Sequence, residues 1–398
     1  MNTSIILNYQ NTEIELNKQN GSKFSVILSM SVVLFWLWHV RGRQIWFNML
    51  ISIIIPFYNG NDQIAATINS LNQIIVPPDI NLEVVICDDG SDITLDKHII
   101  QDIQHPHIVV HQDHLGQSAA TNNAAKKANG EFIWLVAQDI KPEPNSLVEF
   151  LKMISLYPYS LIQGVILHDP ALLHDRFTRY ISTESPFQFV FDSIADDMDL
   201  PPTFHYAPHA FVNRHRFLAL NGYDEGLPYG FQDTDFAIRW RLNGDRIVLA
   251  RESIVYHNHL FLPDDYIKRQ FQIGREAVNL FIKWGMEADF VQFSNLIKIF
   301  VVDGERDSQI ALQAIKHWQQ TGEEPPDSMV PDAIESAFNA CFGLILRREF
   351  YRGINERIIE TRMERYLKKP SQIAPDFQPE NPFNWIGRLI TEKGRKRE

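Results

Sequence analysis

Three groups of acidic residues in the sequence follow or open apolar runs, a position from which carboxylates can bind a nucleotide or a metal. The first group is Cys87 to Asp92 (CDDGSD), directly after the apolar run 82–86. In open parallel sheets, ligands bind beyond the carboxyl ends of the strands. Asp88 and Asp89 are therefore candidates to accept hydrogen bonds from a base and a ribose, with a solvated Asp-Gly turn as the alternative.

Asp139 follows a second apolar run, 131–136 (EFIWLV). An acid that leaves a buried strand for a cleft is costly without a partner, and a divalent cation bridging it to phosphate oxygens would neutralise it. We therefore predict that Asp139 binds a metal, with a helix N-cap or a surface-loop acid as the alternative. His257, in the run IVYHNH, is a candidate second ligand, and His259 competes for that role. A purely structural histidine at a strand end is the alternative.

Asp233 and Asp235 open an amphipathic run at 229–241 (YGFQDTDFAIRWR). Carboxylates in the first turn of a helix are stabilised in the ionised form by the helix dipole, so one of them can accept a proton from a hydroxyl group. We predict that Asp233 is this base. Ordinary capping of the helix is the alternative.

The elements that must position these residues repeat in the order strand, turn, helix, which predicts a sheet covered by helices. β-branched and apolar runs predict strands at 51–56, 82–86, 107–110, 131–136, 160–167 and 253–256. Helical spacing predicts helices at 62–71, 93–103, 117–128 and 146–156, and throughout 264–367 except for a polar break at 321–331. The segment 169–208 has several prolines and little periodicity, which predicts an irregular segment facing a substrate.

The composition is that of a folded chain without a surface for nucleic acid. Its 398 residues are 45% hydrophobic and 12% aromatic, enough for about two domains. The formal charge of −12, from 49 acidic and 37 basic residues, argues against binding along a polyanion. Cys87 and Cys341 are far apart and lack metal-site spacing, which is typical of a reducing compartment. We expect a cytoplasmic location.

Residues 24–40 (FSVILSMSVVLFWLWHV) allow two interpretations. The segment is apolar apart from its serines and His39, and Lys23, Arg41 and Arg43 flank it. In one interpretation it is a membrane anchor, and the heavier basic flank leaves the following domain on the cytosolic face. In the other, Met49 is the true start, and residues 1–48 are a translated upstream stretch.

Six sequence blocks, taken in order, resemble the family-two inverting glycosyltransferases. They are IIIPFYNG, VVICDDGSD, GQSAATNNAAKKANGEFIWL, QDIKPEP, NGYDEG and QDTDFAIRW, between residues 50 and 260. The resemblance implies an α/β fold of the GT-A (nucleotide-diphospho-sugar transferase) type, a Rossmann-like mixed sheet, here with a helical C-terminal appendage. We therefore expect an N-terminal extension at 1–48, a GT-A domain at 49–262, a helical region at 263–369 and a tail at 370–398.

The resemblance also implies a nucleotide-sugar donor, an Mn²⁺ or Mg²⁺ ion, and a single displacement that inverts the anomeric carbon. By position it implies nucleoside binding by Pro56, Tyr58 and Asp89, metal and diphosphate binding by Asp139, proton abstraction by Asp233, and an acceptor side at Asn221, Asp224 and Glu225.

The sequence departs from the family pattern at four positions. Members usually carry acids three residues and one residue before Asp139, where this chain has Val136 and Gln138. A common arginine is replaced by Thr121, and the glutamate that usually precedes the base is Gln232. These departures bear on metal dependence and donor identity more than on the reaction, because the acids assigned to nucleoside, metal and proton are all present.

Three functions stay open from the sequence. The leading hypothesis is an inverting transferase that adds a sugar to a glycan or lipid-linked acceptor in surface polysaccharide synthesis. A nucleotidyltransferase shares the layout, but it needs a basic glycine-rich loop, and Pro56 to Asn61 (PFYNGN) has no lysine or arginine. The third is a non-catalytic relative that binds a glycan or a nucleotide. The arginine-rich run 348–369 fits a solvated helix face, a membrane surface or a dimer contact.

Overall fold

Two units make up the chain, Met1–Met49 and Leu50–Glu398. The computed structural model describes residues 5–7, 13–17, 23–27, 48–183, 189, 191, 194, 199–227, 230–284 and 331–361.

The first unit contains a three-stranded antiparallel sheet in the order β1-β2-β3. Its strands are β1 (Ile5–Leu7), β2 (Glu13–Asn17) and β3 (Lys23–Ile27). Of the segment considered as a membrane anchor, residues 24–27 belong to β3 and residues 28–40 lie outside the described residues. In the part of the chain that the structure describes, no helix is long and apolar enough to cross a bilayer.

The second unit is organised on an eight-stranded sheet in the order β6-β5-β4-β7-β10-β9-β11-β8. Its strands are β4 (Met49–Phe57), β5 (Ile80–Asp88), β6 (His107–His111), β7 (Phe132–Val136), β8 (Ile140–Pro142), β9 (Leu161–His168), β10 (His209–Asn213) and β11 (Ile247–His257). The pairs β5/β6, β4/β7 and β9/β11 are parallel. β10 is antiparallel to β7 and β9, and β8 is antiparallel to β11, so the sheet is mixed, as predicted.

Helices alternate with the strands. They are α1 (Asn61–Leu71), α2 (Lys97–Gln101), α3 (Gln117–Lys127), α4 (Ser146–Leu156), α5 (Arg176–Thr183), α6 (Arg214–Ala219), α7 (Gln232–Leu242), α8 (Pro263–Trp284) and α9 (Pro331–Thr361). Short 3-10 helices occur at Pro170–Leu172 and Pro202–Phe204.

The central strands are apolar on both faces because both faces are covered. Ile53 and Ile54 of β4 point to opposite faces, and both are fully buried; the same holds for Ile133 and Trp134 of β7. Side chains that leave the core must therefore do so beyond the strand ends. That arrangement places the polar residues after β4, β5 and β7 at one edge of the sheet.

Several elements in the second unit differ from the sequence predictions. The helix predicted at 93–103 is confined to α2, and the segment 169–208, predicted to be irregular, contains α5. β11 begins at Ile247, earlier than the strand predicted at 253–256. Sequence analysis finds neither β8 nor β10. β8 has only three residues, which is too short for a periodic signal. Of the predicted break at 321–331, residues 321–330 lie outside the described residues, and Pro331 begins α9.

The helical region shares a core with the rest of the second unit. Phe177 and Tyr180 of α5, Tyr266 of α8, and Ile345 and Leu346 of α9 belong to one buried cluster. α8 and α9 also pack directly on each other at two glycines. A Cβ atom on Gly274 would clash with the carbonyl of Phe350, and a Cβ atom on Gly353 would clash with that of Phe271. The two helix backbones therefore touch where neither has a side chain.

We expect Gly274→Ala to destabilise the protein by about 1–3 kcal/mol, because the obstacle is backbone and cannot rotate away. Gly343→Ala in α9 is the matched control. There the new methyl would meet one side-chain atom, the hydroxyl of Tyr180, and no backbone atom, and the better helix propensity of alanine offsets part of the contact, so the expected loss is smaller. Thermal unfolding followed by circular dichroism measures both. Equal melting temperatures for Gly274→Ala and the unaltered chain would rule out the close helix crossing.

Candidate active site

The predicted nucleoside acids lie where expected, at the carboxyl end of β5, and both are buried. The Asp89 carboxylate accepts hydrogen bonds from the backbone N–H groups of Leu115 (2.8 Å) and Gly116 (2.9 Å) and from the side chain of Gln112 (2.7 Å). Asp88 accepts one from the backbone of Ser91 at 3.0 Å. These acids therefore hold the two loops that surround the strand ends, a role that the sequence analysis does not assign to them.

An aromatic surface borders these loops. Tyr58 follows β4, is 39% exposed, and stacks on the ring of His114 with centroids 4.2 Å apart. The His114 ring is also held by the Asp89 carboxylate, 2.9 Å from its Nδ1. Pro56, near the end of β4, is partly buried. The flat, anchored Tyr58–His114 pair is a suitable surface on which a planar base can stack.

Gln138, at a position where the family usually has an acid, joins the ends of β4 and β7. Its Oε1 accepts from the backbone N–H of Tyr58 at 2.8 Å, and its Nε2 donates to the carbonyl of the same residue at 3.1 Å. Nε2 also donates to Gln63 Oε1 at 3.3 Å. An amide satisfies both a donor and two acceptors here, whereas a carboxylate offers acceptors only. The departure from the family pattern thus has a structural reason.

Gln138→Glu should destabilise the chain by about 1–3 kcal/mol at neutral pH, because two acceptors lose their donor. The loss should shrink in acid, because a protonated carboxyl group at this position regains one donor. Gln73→Glu, at an exposed position, controls for the added charge. Melting temperatures from about pH 4 to about pH 8 test this, since the ordinary glutamate pKa is about 4.3. A loss that does not depend on pH would contradict the hydrogen-bond pattern.

Asp139 lies between two histidines at and just beyond the end of β11. Its Oδ2 is 3.2 Å from His257 Nε2 and 3.2 Å from His259 Nδ1. The three ligating atoms lie within 4.8 Å of one another. Burial by itself raises the pKa of the Asp139 carboxyl, but the two histidines outweigh it and hold that pKa below its usual range. One carboxylate and two imidazoles converging on a point suit a divalent cation.

Both histidines are thus placed beside Asp139, although the sequence analysis treats them as competitors. β8 is antiparallel to β11 and pairs Ile140 with His257, which brings the residue before Ile140 to the end of β11. The backbone N–H of Asn258 also donates to the carbonyl of Asp139 at 2.7 Å. Because β8 is only three residues long, the sequence carries no signal for this pairing.

Asp233 lies in the first turn of α7, as predicted, and is partly buried. Burial raises the pKa of its carboxyl to about 6, against the opposing effect of backbone N–H groups, including those of Thr234 and Ala207, and the charge of Arg269. The Thr234 N–H donates to its Oδ1 at 2.8 Å. A carboxylate with a pKa near neutrality is well matched to accept a proton from a hydroxyl group.

Asp235, two residues further on, has a different environment. It is fully buried, and its carboxylate pairs with Arg239 at 2.8 Å and Lys283 at 2.6 Å. The Trp284 indole N–H donates to it at 2.8 Å. These contacts hold α7 against the end of α8, which leaves Asp233 as the candidate base of this turn.

Asp233 and Asp139 lie at the same edge of the sheet. In the antiparallel pair of β10 and β7, His209 is opposite Val136, so the chain just before His209 runs beside the chain just after Val136. That chain includes Ala207, whose backbone N–H is close enough to Asp233 to lower the pKa of its carboxyl. The segment before β10 therefore lies close to the candidate base and runs beside the segment that leads to the candidate metal ligand.

The predicted acceptor-side residues form one loop before α7. Asn221 is exposed, with a left-handed φ of 62°. Asp224 pairs with Lys283 at 2.6 Å, and Glu225 accepts from Asn122 Nδ2 at 2.9 Å. The loop is thereby tied to both α8 and α3.

Two other departures from the family pattern have simple local environments. The Thr121 hydroxyl donates to the carbonyl of Gln117 at 2.9 Å, inside α3. Gln232 is buried at the start of α7, and its Oε1 has no hydrogen-bond partner among the described residues.

His168 is a residue near this site that sequence analysis does not single out. It ends β9, and in the parallel ladder with β11 it is the register partner of His257. Burial lowers the pKa of its imidazole to about 3, so the ring is neutral. Neither ring nitrogen has a hydrogen-bond partner among the described residues. No local pattern could have found it, because the two histidines are neighbours only through strand pairing.

A mixed sheet with acids beyond its parallel strands, and a further acid opening a later helix at the same edge, is the arrangement expected of the GT-A class of α/β proteins. Residues 52–219 match the model of the family described as glycosyl transferase family 2. The predicted resemblance to family-two glycosyltransferases is thereby confirmed.

A relative and two solved structures resemble the chain. YfnE of Bacillus subtilis strain 168, an uncharacterized glycosyltransferase, is 25% identical over 255 residues, which are 52% of this chain and 64% of that protein. The match thus spans less than two thirds of that relative. The mannosyltransferase PcManGT of Pyrobaculum calidifontis, solved with GDP-Man and Mn²⁺, has a TM-score of 0.52 and 15% identity, over 83% of this chain and 94% of its own. S. aureus TarS 1-349 has a TM-score of 0.46 and 19% identity, over 79% of this chain and 92% of its own. The PcManGT likeness confirms the predicted GT-A fold.

Proposed function

We propose that the protein is an inverting, metal-dependent glycosyltransferase. It takes a sugar from a nucleotide-sugar, with UDP-sugars as the first candidates, and transfers it to a glycan or lipid-linked acceptor in surface polysaccharide synthesis. One observation carries the proposal. The same edge of the sheet holds Asp139, which lies beside two histidines, and Asp233, whose carboxyl has a raised pKa.

On the donor side, Tyr58 with His114 offers a stacking surface for the base, and the loops held by Asp88 and Asp89 form the wall beside it. Pro56 helps to shape this end of β4. Asp139, His257 and His259 would hold an Mn²⁺ or Mg²⁺ ion. Such an ion supplies positive charge that balances the charge growing on a leaving diphosphate.

On the acceptor side, Asp233 removes the proton of the attacking hydroxyl. Its burial favours the neutral form of the carboxyl group. The carboxylate therefore has a higher affinity for a proton than that of an exposed aspartate. The loop that carries Asn221, Asp224 and Glu225 precedes this base and forms the acceptor side. Attack from the face opposite the diphosphate inverts the anomeric carbon.

The decisive experiment is a donor screen with the full chain. UDP-, GDP- and dTDP-sugars are tested with Mn²⁺ for thermal stabilisation and for slow hydrolysis of the donor. We expect one nucleotide series to raise the melting temperature and to release its sugar with inverted configuration, read by NMR of the anomeric proton. Retained configuration would overturn the inverting mechanism. Stabilisation without release, also after mixed glycan and lipid-linked acceptors are added, would indicate a non-catalytic nucleotide-binding relative.

A further inference from the structure

A chain of buried polar side chains connects the acceptor loop, residues 221–225, to β9. His205 and Gln163 are fully buried, and Tyr223 of the acceptor loop is 2% exposed. The His205 Nδ1 atom lies 3.2 Å from Gln163 Oε1, and its Nε2 atom lies 3.1 Å from the hydroxyl of Tyr223. We propose that His205 and Tyr223 are positioning residues that hold the acceptor loop in a fixed place relative to the proposed base, Asp233. The inference rests on the proposed function, which assigns the roles of the loop and of Asp233.

The direction of these hydrogen bonds follows from the groups around Gln163. Its Nε2 donates to two backbone carbonyls, each at 2.9 Å, so its Oε1 is the acceptor and His205 Nδ1 carries the proton. Burial lowers the pKa of His205 to about 3, so the ring is neutral and its Nε2 can only accept. The Tyr223 hydroxyl is therefore the donor. It keeps its proton because burial, and then the charge of Asp233, raise the pKa of Tyr223 against the opposing charge of Arg239.

The His205 end of this chain is joined to the segment beside the proposed base. The backbone N–H of Tyr206 donates to Gln163 Oε1 at 2.8 Å, which ties the residue after His205 to β9. The next residue is Ala207, whose backbone N–H lowers the pKa of the Asp233 carboxyl. A displacement of His205 would therefore move a group that faces the base.

The Tyr223 end is joined to α3. The backbone N–H of Tyr223 donates to Asn122 Oδ1, and Asn122 Nδ2 donates to the carbonyl of Tyr223, both at 2.8 Å. The tyrosine ring packs edge-on against the fully buried rings of Phe217 and Phe236, with centroids 5.5 Å and 5.4 Å away. A phenylalanine would fill this space without the cost of burying a hydroxyl. The contribution of the hydroxyl is thus a fixed geometry, because a satisfied buried network specifies one arrangement of its members.

Tyr223→Phe in the full chain removes the hydroxyl and keeps the ring. We expect kcat/KM for the acceptor to fall by about 10- to 100-fold, the size of effect that a small displacement of a positioned group produces. Donor affinity, measured by titration with the nucleotide-sugar, should stay unchanged. Ser52→Ala, which removes a buried hydroxyl near the amino end of β4, is the matched control and should lower the melting temperature without lowering kcat/KM. A lower melting temperature with unchanged kcat/KM in Tyr223→Phe would overturn the proposal.

Two variants of His205 separate the two ends of its ring. In His205→Gln the amide oxygen can lie near the position of Nε2 and accept from Tyr223, whereas in His205→Asn the shorter amide reaches only Gln163. We expect His205→Gln to retain most of kcat/KM and His205→Asn to lose as much as Tyr223→Phe. The double variant His205→Asn/Tyr223→Phe should be no slower than either single variant, because both remove the same hydrogen bond. Equal losses in the two His205 variants, or additive losses in the double variant, would contradict the positioning role.

Nitrogen NMR of the chain labelled at histidine gives a readout that needs no activity. The His205 signals, assigned by their absence from His205→Asn, should show a neutral ring with the proton on Nδ1; a proton on Nε2 would also overturn the proposal. If the unaltered chain transfers no sugar from any nucleotide-sugar, the proposed function fails and this inference fails with it. If the unaltered chain transfers sugar and the Tyr223 and His205 variants do so equally well, the inference alone fails.

Discussion

Asp233→Asn is expected to slow sugar transfer by about 10²- to 10⁴-fold while leaving donor affinity nearly unchanged, because the amide cannot accept the proton of the attacking hydroxyl. The substituted side chain keeps the shape of aspartate and retains an oxygen for the N–H group of Thr234. Transfer rates at saturating donor and titration with the nucleotide-sugar measure the two quantities separately.

Asp235→Asn is the contrasting variant in the same turn of α7. It removes the charge that faces Arg239 and Lys283, so it should lower stability by about 3–5 kcal/mol, the usual effect of breaking a buried ion pair. Its effect should therefore appear in the melting temperature. If Asp233→Asn instead loses donor binding as severely as turnover, the assignment of Asp233 as the base is wrong.

The raised pKa of Asp233 also predicts the pH profile of the unaltered chain. Below about pH 6 its carboxyl is protonated and cannot act as a base, so kcat/KM should fall with decreasing pH through an apparent pKa of about 6. An aspartate at its ordinary pKa, about 3.9, would keep the rate down to much lower pH. Rates on a donor with a fixed acceptor from about pH 5 to about pH 8 provide the check.

The same pKa affects stability with the opposite sign. A carboxyl whose pKa is raised on folding contributes stability in acid, and that contribution is lost as the pH rises through the folded pKa. For Asp233 the loss is complete above about pH 6, where the buried carboxylate is ionised. At the pH where the proposed base is ionised and able to act, its burial therefore lowers the free energy of unfolding most.

The second large effect concerns Asp139. Asp139→Ala removes the one carboxylate of the cluster and leaves His257 and His259 without the charge between them. We expect metal affinity to fall by more than about 100-fold, beyond the 10- to 100-fold typical for losing a partner of a ligand. Donor binding that depends on the metal should fall with it, and turnover should be lost.

Asp62→Asn, an exposed acid at the start of α1, controls for the change in net charge. Titration with Mn²⁺ alone, followed by the donor in the presence of Mn²⁺, separates the loss of the ion from the loss of the nucleotide. Donor affinity that stays intact in Asp139→Ala would remove Asp139 from the donor site.

Local pattern by itself determined much of the second unit. The apolar runs of β4, β5 and β7 predict buried strands because both faces of these strands are covered, and a residue can leave such a strand only at its end. Asp89 and Asp139 are accordingly predictable as acids at strand ends, and helical periodicity places Asp233 in the first turn of α7.

The tertiary structure decided which of these acids are free for chemistry and what stands beside them. Asp233 and Asp235 have the same local pattern, and only the packing of α8 through Lys283 and Trp284 distinguishes the proposed base from the acid held in an ion pair. His168 meets His257 because β9 and β11 pair in parallel, a contact between residues far apart in the chain. Burial and strand pairing depend on such distant residues, whereas helix and strand periodicity depends on near neighbours, so the sequence could predict the positions of the acids but not their partners.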